Sequence, residues 1–276
     1  MRVNFYDILS SHSQAYPKMT AQDYYALAFE SEFGVAFFGD DDLDTLIGEL
    51  QKVKNDSLEP CSVDIGGGYS RMNLAAVKQY LGPSTILRMT NMSRRCDGSD
   101  DGLKRKLSLI SRSAKMGILP AAAEGACRCT DTGHSPVYRY SYGASYRIVS
   151  YELARLIPAL CLISEALGRG GSARVGIDGR AVSGKTWAKE TIEQIFSDEV
   201  EGGALTVTEG AYILRDSTEY DVKLYFDTTP EVRRMRLIGK GGEKAVSDYL
   251  NDILPEEEKY IAECSPALSC DLIVGT

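Results

Sequence analysis

Two rhythms of apolar and polar residues follow one another along this chain. In the first part, "TAQDYYALAFESEFG" repeats apolar residues at helical spacing behind a start signal at Thr20. "DDLDTLIGELQKVK" opens on acids and closes on lysines, the order a helix dipole favours. "SRMNLAAVKQYL" and "DGLKRKLSLISRSAKMG" predict two more helices, while "RCDGSDDG" and "GACRCTDTGHSP" read as loops from their Gly, Asp, Ser and Pro. "SYRIVSYELARLIPALCLISEALG", 145–168, predicts one long helix with a kink at Pro158. "GRGGSA" then breaks the pattern, and strands begin to alternate with helices. The strands are "RVGID", "ALTVTEGAYI", "VKLYFDT" and "DLIVGT". The expected helices run from Lys185 to Phe196, from Pro230 to Ile238, and in two segments between Glu243 and Cys264. Such alternation predicts an α/β fold with a parallel sheet. The expected organisation is a mainly α-helical domain over 1–168 and an α/β domain over 169–276.

Composition narrows the function more than the fold. With 43% hydrophobic and 25% charged residues in a chain of 276, it resembles an ordinary soluble protein. A net charge of −8 argues against a nucleic-acid partner. The most apolar run, "LIPALCLISEAL", is too short to cross a bilayer and has charges beside it, so no membrane role is expected. The first residues lack the layout of a signal peptide, and seven scattered cysteines do not suggest a disulfide framework. A cytoplasmic home is therefore expected. Only two histidines are present, which disfavours histidine metal sites and a Ser-His-Asp hydrolase. Chemistry is left to Lys, Arg, carboxylates and backbone amides.

The segment "GRAVSGKT", 179–186, matches the phosphate-cradling pattern G-x-x-x-x-G-K-[ST], with an apolar strand before it and a helix after it. Gly179 and Gly184 allow left-handed backbone angles and close approach to phosphate oxygens. Amides from Val182 through Ser183 to Thr186 face inward at a helix N-terminus, where the dipole favours anions. Lys185 reaches the β- and γ-phosphates of ATP, and the Thr186 hydroxyl binds Mg²⁺. The plain alternative is a glycine turn that binds nothing. Glu209, at the end of "ALTVTE", is placed to orient Mg²⁺ or its water, or is a solvated strand end. Arg233 and Arg236 in "TPEVRRMRLIGKGGEK" share a helix side and suit a lid over transferring phosphate, or form an ordinary basic face. The domain thus reads as a shortened P-loop NTPase-type sheet.

Taken in order, "IDGRAVSGKT", "TEGAYILRD", "LYFDTTPEVRRMRL" and "YLNDILPEEEKYIAECSPALSCDLIV" resemble the uridine kinase-like family of P-loop kinases. "AQDYYALAFESEFG", "GGYSRMNLAA" and "GHSPVYRYSYGASYRIVSYE" resemble the helical N-terminal extension of its bacterial members. The resemblance implies ATP and Mg²⁺ at Gly179, Ser183, Gly184, Lys185, Thr186 and Glu209, with lid roles for Arg233 and Arg236. It also implies transfer of the γ-phosphate to a small, nucleoside-like hydroxyl acceptor. One family element is missing: the second strand, whose closing aspartate activates the acceptor hydroxyl. It is an edge strand in the family's 2-3-1-4-5 order. Asp198 or Glu199 in "FSDEVEGG" is a candidate replacement base; a solvated turn is the alternative. Without an acceptor site, the chain would be an ATP-binding regulatory module or an NTPase.

Three further clusters invite chemistry. Cys127, Cys129 and His134 are soft-metal ligands without the spacing of a zinc site. "VYRYSYGASYR" places Tyr138, Tyr140 and Tyr142 on one face if extended, either to stack a base or to pack on the helices. "FGDDDLD" lacks the ligand spacing of a calcium loop and reads as an acidic helix start.

Overall fold

The computed structural model describes residues 4–34, 42–54, 60–94, 98–143 and 145–275, with backbone alone at 216–218. The chain forms two compact units, Met1–Ala154 and Arg155–Thr276. The division lies before the 168/169 boundary expected from "GRGGSA". Gly171, at φ 70°, ends a helix that belongs to the second unit, so that glycine-rich stretch links a helix to a strand within it.

In the first unit the order is α1 Phe5–Ala15, α2 Ala21–Phe33, α3 Leu43–Lys52, β1 Ser62–Gly66, β2 Tyr69–Asn73, α4 Leu74–Val77, α5 Pro83–Met92, α6 Asp100–Lys115, a 3₁₀ helix Ala121–Arg128, α7 Pro136–Tyr142, β3 Tyr146–Ser150 and α8 Tyr151–Ala154. The start of α2 is a capping box: Asp23 accepts from the Thr20 amide while Thr20 receives the amide three residues on. Ile8, Leu9, Tyr24, Leu27, Ile65 and Ile110 are buried together in its core.

The unit is less purely helical than its sequence suggests, because β1, β2 and β3 form an antiparallel sheet in that order. Ser70–Asn73, the start of the helix expected from "SRMNLAAVKQYL", lies in strand β2 instead. It is a strand because Gly66, Gly67 and Gly68 all hold positive φ and turn the chain back on β1. A Cβ on Gly67 would stand 1.7 Å from the Ser31 carbonyl oxygen. The tyrosine stretch 136–142 is a helix instead of an extended segment. Ser135 caps it, Pro136 opens it, and Gly143 at φ 69° closes it. The long helix expected over 145–168 is likewise β3, α8 and then α9, Ile157–Gly170, with Pro158 in its first turn where no helical hydrogen bond is lost.

The second unit continues with β4 Ala173–Gly179, α10 Lys185–Ile195, α11 Ser197–Glu201, β5 Leu205–Glu209, a 3₁₀ helix Ile213–Glu219, β6 Val222–Asp227, α12 Pro230–Asp248, a π turn Tyr249–Ile253, α13 Leu254–Cys264, α14 Pro266–Ser269 and β7 Leu272–Gly275. The four strands are parallel in the order β5-β4-β6-β7, as the alternating pattern predicts. α9 packs on β4 and β6, and α10 on β4 and β5. Helix α12 runs beyond Ile238 and bends at Gly241 and Gly242, where the backbone leaves helical angles. The chain leaves central strand β4 for β5 on one side and later returns to β6 on the other. That reversal opens a crevice at the carboxyl end of β4.

Candidate functional site

The crevice holds the segment that joins β4 to α10. Gly179 has φ 142°, and a Cβ there would lie 2.1 Å from the Phe226 carbonyl oxygen on the neighbouring strand. Gly184, at φ 100°, caps α10. Val182 between them holds φ 51°, a left-handed angle that costs a β-branched residue on the order of 1–3 kcal/mol. The loop is therefore held in shape against the preference of its own sequence. Behind it, the first amides of α10 have no carbonyl of their own helix to bond, which makes them anion donors.

Several expected residues meet here. Lys185 Nζ donates to the carbonyl oxygens of Gly179 at 2.6 Å and Arg180 at 2.9 Å. Burial lowers its pKa against the pull of Asp178 and Glu209. Thr186 Oγ1 donates to Glu209 Oε1 at 3.0 Å, because β5 pairs Glu209 with Ile177 at the same end of the sheet. Ser183 is fully buried, and its Oγ has no hydrogen-bond partner among the described residues.

The two arginines on α12 part company. Arg233 is buried: its guanidinium donates to the Tyr249 hydroxyl and the Thr228 carbonyl oxygen, each at 2.8 Å. Arg236 reaches the loop, donating to the Val182 carbonyl oxygen at 2.9 Å. Burial and the nearby Arg155 lower its pKa. Arg234 instead points outward to Glu243 at 2.8 Å.

Asp198 does not belong to this site. It lies in α11, after the 11 residues of α10, which rise about 16 Å away from the loop. Glu199 accepts from the Ala204 amide, and Ala204 in turn accepts from the Ala173 amide at the start of β4. Asp198 and Glu199 thus flank the amino end of the strands, opposite Gly179. Asp198 is exposed and Glu199 half-buried with its Oε2 buried, and this segment does not bring a carboxylate to the loop.

Other buried carboxylates do serve the loop, and sequence reasoning missed them. Asp178 is 1% exposed and accepts from the Gly179 and Tyr212 amides at 2.6 and 3.1 Å, and from the Leu214 amide and Tyr260 hydroxyl at 3.1 and 2.6 Å. Burial and that last bond raise the Tyr260 pKa. Glu257, also buried, accepts from the Ala181 amide at 2.5 Å and the Tyr249 hydroxyl at 2.8 Å. Two signals were present: an acid closing the apolar strand "RVGID", and Glu257 with Tyr260 one helical turn apart in "PEEEKY".

The remaining clusters resolve structurally. His134 Nδ1 lies 3.0 Å from Asp23 Oδ1 in the first unit, and no group of three metal-ligating side chains occurs among the described residues. Asp42 caps α3 by accepting the Thr45 amide, while Phe38–Asp41 lie outside the described residues. No helix among the described residues is long and apolar enough to cross a membrane.

Comparison with protein-family models, curated proteins and solved structures gives no match for this chain. A strained, glycine-bounded loop presents amides, a lysine and a hydroxyl–carboxylate pair at one point, with buried acids securing its far side.

Proposed function

We propose that the Arg155–Thr276 unit is a P-loop phosphotransferase of the uridine kinase-like type. It takes ATP with Mg²⁺ and passes the γ-phosphoryl group to a small hydroxyl acceptor, nucleoside-like by resemblance. The observation that carries this reading is the Thr186–Glu209 pair, 3.0 Å apart and next in sequence to Lys185, at the carboxyl end of β4. The strand order supports it too: β5-β4-β6-β7 is what the 2-3-1-4-5 order leaves when its edge strand 2 is absent.

The residues fit the absent groups. Left-handed backbone at Gly179, Val182 and Gly184 and the orphaned Ser183 hydroxyl suit a phosphate chain. Held by Thr186 and, through water, by Glu209, Mg²⁺ would supply charge neutralisation at the transferring group. Lys185 exchanges its two loop carbonyls for phosphate oxygens. Arg236, already against Val182, adds a second positive charge beside the loop. Phosphoryl transfer needs little else from a protein beyond position and charge.

A second reading is favoured by one observation: Asp198 and Glu199 stand at the other end of the sheet. With those two carboxylates away from the loop, the unit would bind ATP as a regulatory module or hydrolyse it with water. Trp187, the sole tryptophan, is 41% exposed and adjoins Thr186, so its fluorescence reports nucleotide binding. Wild type is expected to bind Mg-ATP, and Lys185→Ala to bind roughly 10- to 100-fold more weakly, as loss of charged hydrogen bonds implies. Labelled phosphate arriving on a nucleoside supports the kinase; phosphate released only to water supports the NTPase. Binding with neither leaves the regulatory module, and absence of binding sinks every one of these readings.

A further inference from the structure

The acidic helix α13, whose carboxylates the sequence reading gives no role, touches the phosphate loop. Glu257 lies on its first turns with only 5% of its surface exposed. Its Oε1 receives the Ala181 amide at 2.5 Å, and its Oε2 lies 3.5 Å from the Arg180 guanidinium. Glu258, next in the chain and exposed, takes the same guanidinium at 2.7 Å. The crest of the loop, Arg180 and Ala181, is therefore clamped by two consecutive carboxylates.

The clamp continues beyond the loop. Oε2 of Glu257 also accepts from the Tyr249 hydroxyl at 2.8 Å, and that hydroxyl accepts from Arg233 on α12 at 2.8 Å. Arg233 also lies over the Tyr249 ring, 5.6 Å from its centroid. One turn along α12, Arg236 donates to the Val182 carbonyl oxygen. The loop is thus bonded to α12 at Val182 directly and at Ala181 through Glu257 and Tyr249. Each link is a hydrogen bond, with charge on Glu257 and Arg233 and a neutral hydroxyl between them.

We propose that Glu257 is the positioning residue of the phosphate loop, fixing Ala181 so that the amides after it face the phosphate chain and tying them to the arginines of α12. This rests on the phosphate-binding reading of the loop. A carboxylate suits the task because one oxygen satisfies an outward-facing loop amide while the other is shared with the Tyr249–Arg233 link. An amide side chain at 257 keeps the acceptor for Ala181 but loses the charge that Arg180 and Arg233 face. Such a loss leaves the loop in place and slackens its geometry.

The test uses the full chain and Trp187 fluorescence, with Mg-ATP and with inorganic triphosphate, which carries phosphates and no base. Glu257→Gln is expected to weaken both ligands about tenfold, as removal of one charged hydrogen bond implies, while the urea midpoint stays near wild type. Tyr249→Phe removes only the bridging hydroxyl and is expected to weaken both about threefold. In the double variant the effects should fall short of their product, because both residues serve one link. Unchanged affinities in folded Glu257→Gln overturn the proposal, since a merely structural brace alters the urea midpoint alone. Should Glu257→Gln fail to fold, Tyr249→Phe decides, and wild-type affinity in that variant overturns it. If wild type binds neither ligand, the phosphate reading falls first and takes this role with it.

Discussion

The Glu30–Arg71 pair in the first unit and the Lys185 loop in the second are both clusters of charge, but they are partnered in opposite ways. Arg71 and Glu30 are 5% and 2% exposed, and one oxygen of Glu30 takes two guanidinium bonds at 2.8 and 2.6 Å. Its other oxygen takes the Tyr146 hydroxyl, while Arg71 also reaches the Tyr138 hydroxyl at 3.2 Å. Every polar atom described there points into the protein. At the loop the acids Asp178 and Glu257 are equally buried, but they secure backbone amides, while Thr186 is exposed and Lys185 half-buried. A charge cluster turned inward makes a brace. One anchored on its far side and open on the near side makes a binding site.

The largest expected effect breaks the brace. Arg71→Ala leaves the Glu30 carboxylate buried without its cation, which costs about 3–5 kcal/mol. Urea unfolding followed by circular dichroism should show that loss in the first unit, while Trp187 fluorescence, reporting the second unit, keeps its midpoint and its response to Mg-ATP. A loss below about 1 kcal/mol would put Arg71 in the class of surface pairs and erase the contrast. Replacing both partners, Arg71→Met with Glu30→Gln, should restore much of the stability, because no buried charge is then stranded.

A smaller effect comes from pH. His12 is buried against the Asp64 carbonyl oxygen, with the Arg71 guanidinium and the His134 ring nearby, and burial lowers its pKa to about 4. His134 is lowered too: burial and Arg71 outweigh its hydrogen bond to Asp23 and the charge of Glu30. Burial pushes the Asp23 carboxyl up, but bonds from His134, Thr20 and Ser135 outweigh it and hold it well below the usual range. Folding thus keeps both histidines neutral, and unfolding takes up protons once the pH is below the unfolded value of 6.5. Stability of the first unit is whole above that pH and declines toward pH 4, by on the order of 3 kcal/mol from His12 alone. The second unit contains neither histidine, so its Trp187-reported transition should hold over the same window. Urea midpoints at pH 7, 6 and 5 check this, and His12→Leu should flatten the slope. Equal slopes in both units would remove the histidines from the account.

The open cluster was far more legible in the sequence than the closed one. "GRAVSGKT" is local: its glycines, lysine and threonine are consecutive and act through the backbone that carries them. Glu209 followed from strand periodicity. The brace joins Glu30, Arg71, Tyr138 and Tyr146 from separate elements, and no spacing connects residues that meet only after β2 and β3 pair. Asp178 and Glu257 were missed for the same reason, as their partners lie across the fold. The helix expected from Ser70 onward failed over Ser70–Asn73 because strand β2 is buried on both faces and shows no alternation. The capping signals around Tyr138, Ser135-Pro136 before and Gly143 after, were in plain view and were outweighed by tyrosine's preference for strands.

The smallest expected effect concerns Asp198, a carboxylate that belongs to neither cluster. The sequence offers Asp198 as a base because it follows the loop helix directly, where the family has its second strand. In the fold that same helix carries it away: Lys185 opens α10 at the carboxyl end of β4, and α11 lies where Ala204 meets Ala173 at the amino end. A proton cannot be taken from an acceptor hydroxyl about 16 Å away, since a general base must lie within hydrogen-bond reach or one water of it. Asp198→Asn should therefore leave both the Mg-ATP affinity and any phosphate transfer or release within about twofold of wild type. A tenfold fall in turnover at unchanged affinity would show Asp198 acting at the phosphates, which requires α10 and α11 to leave the arrangement that this sheet imposes. Affinity and turnover that stay unchanged leave Asp198 no part in activating an acceptor hydroxyl.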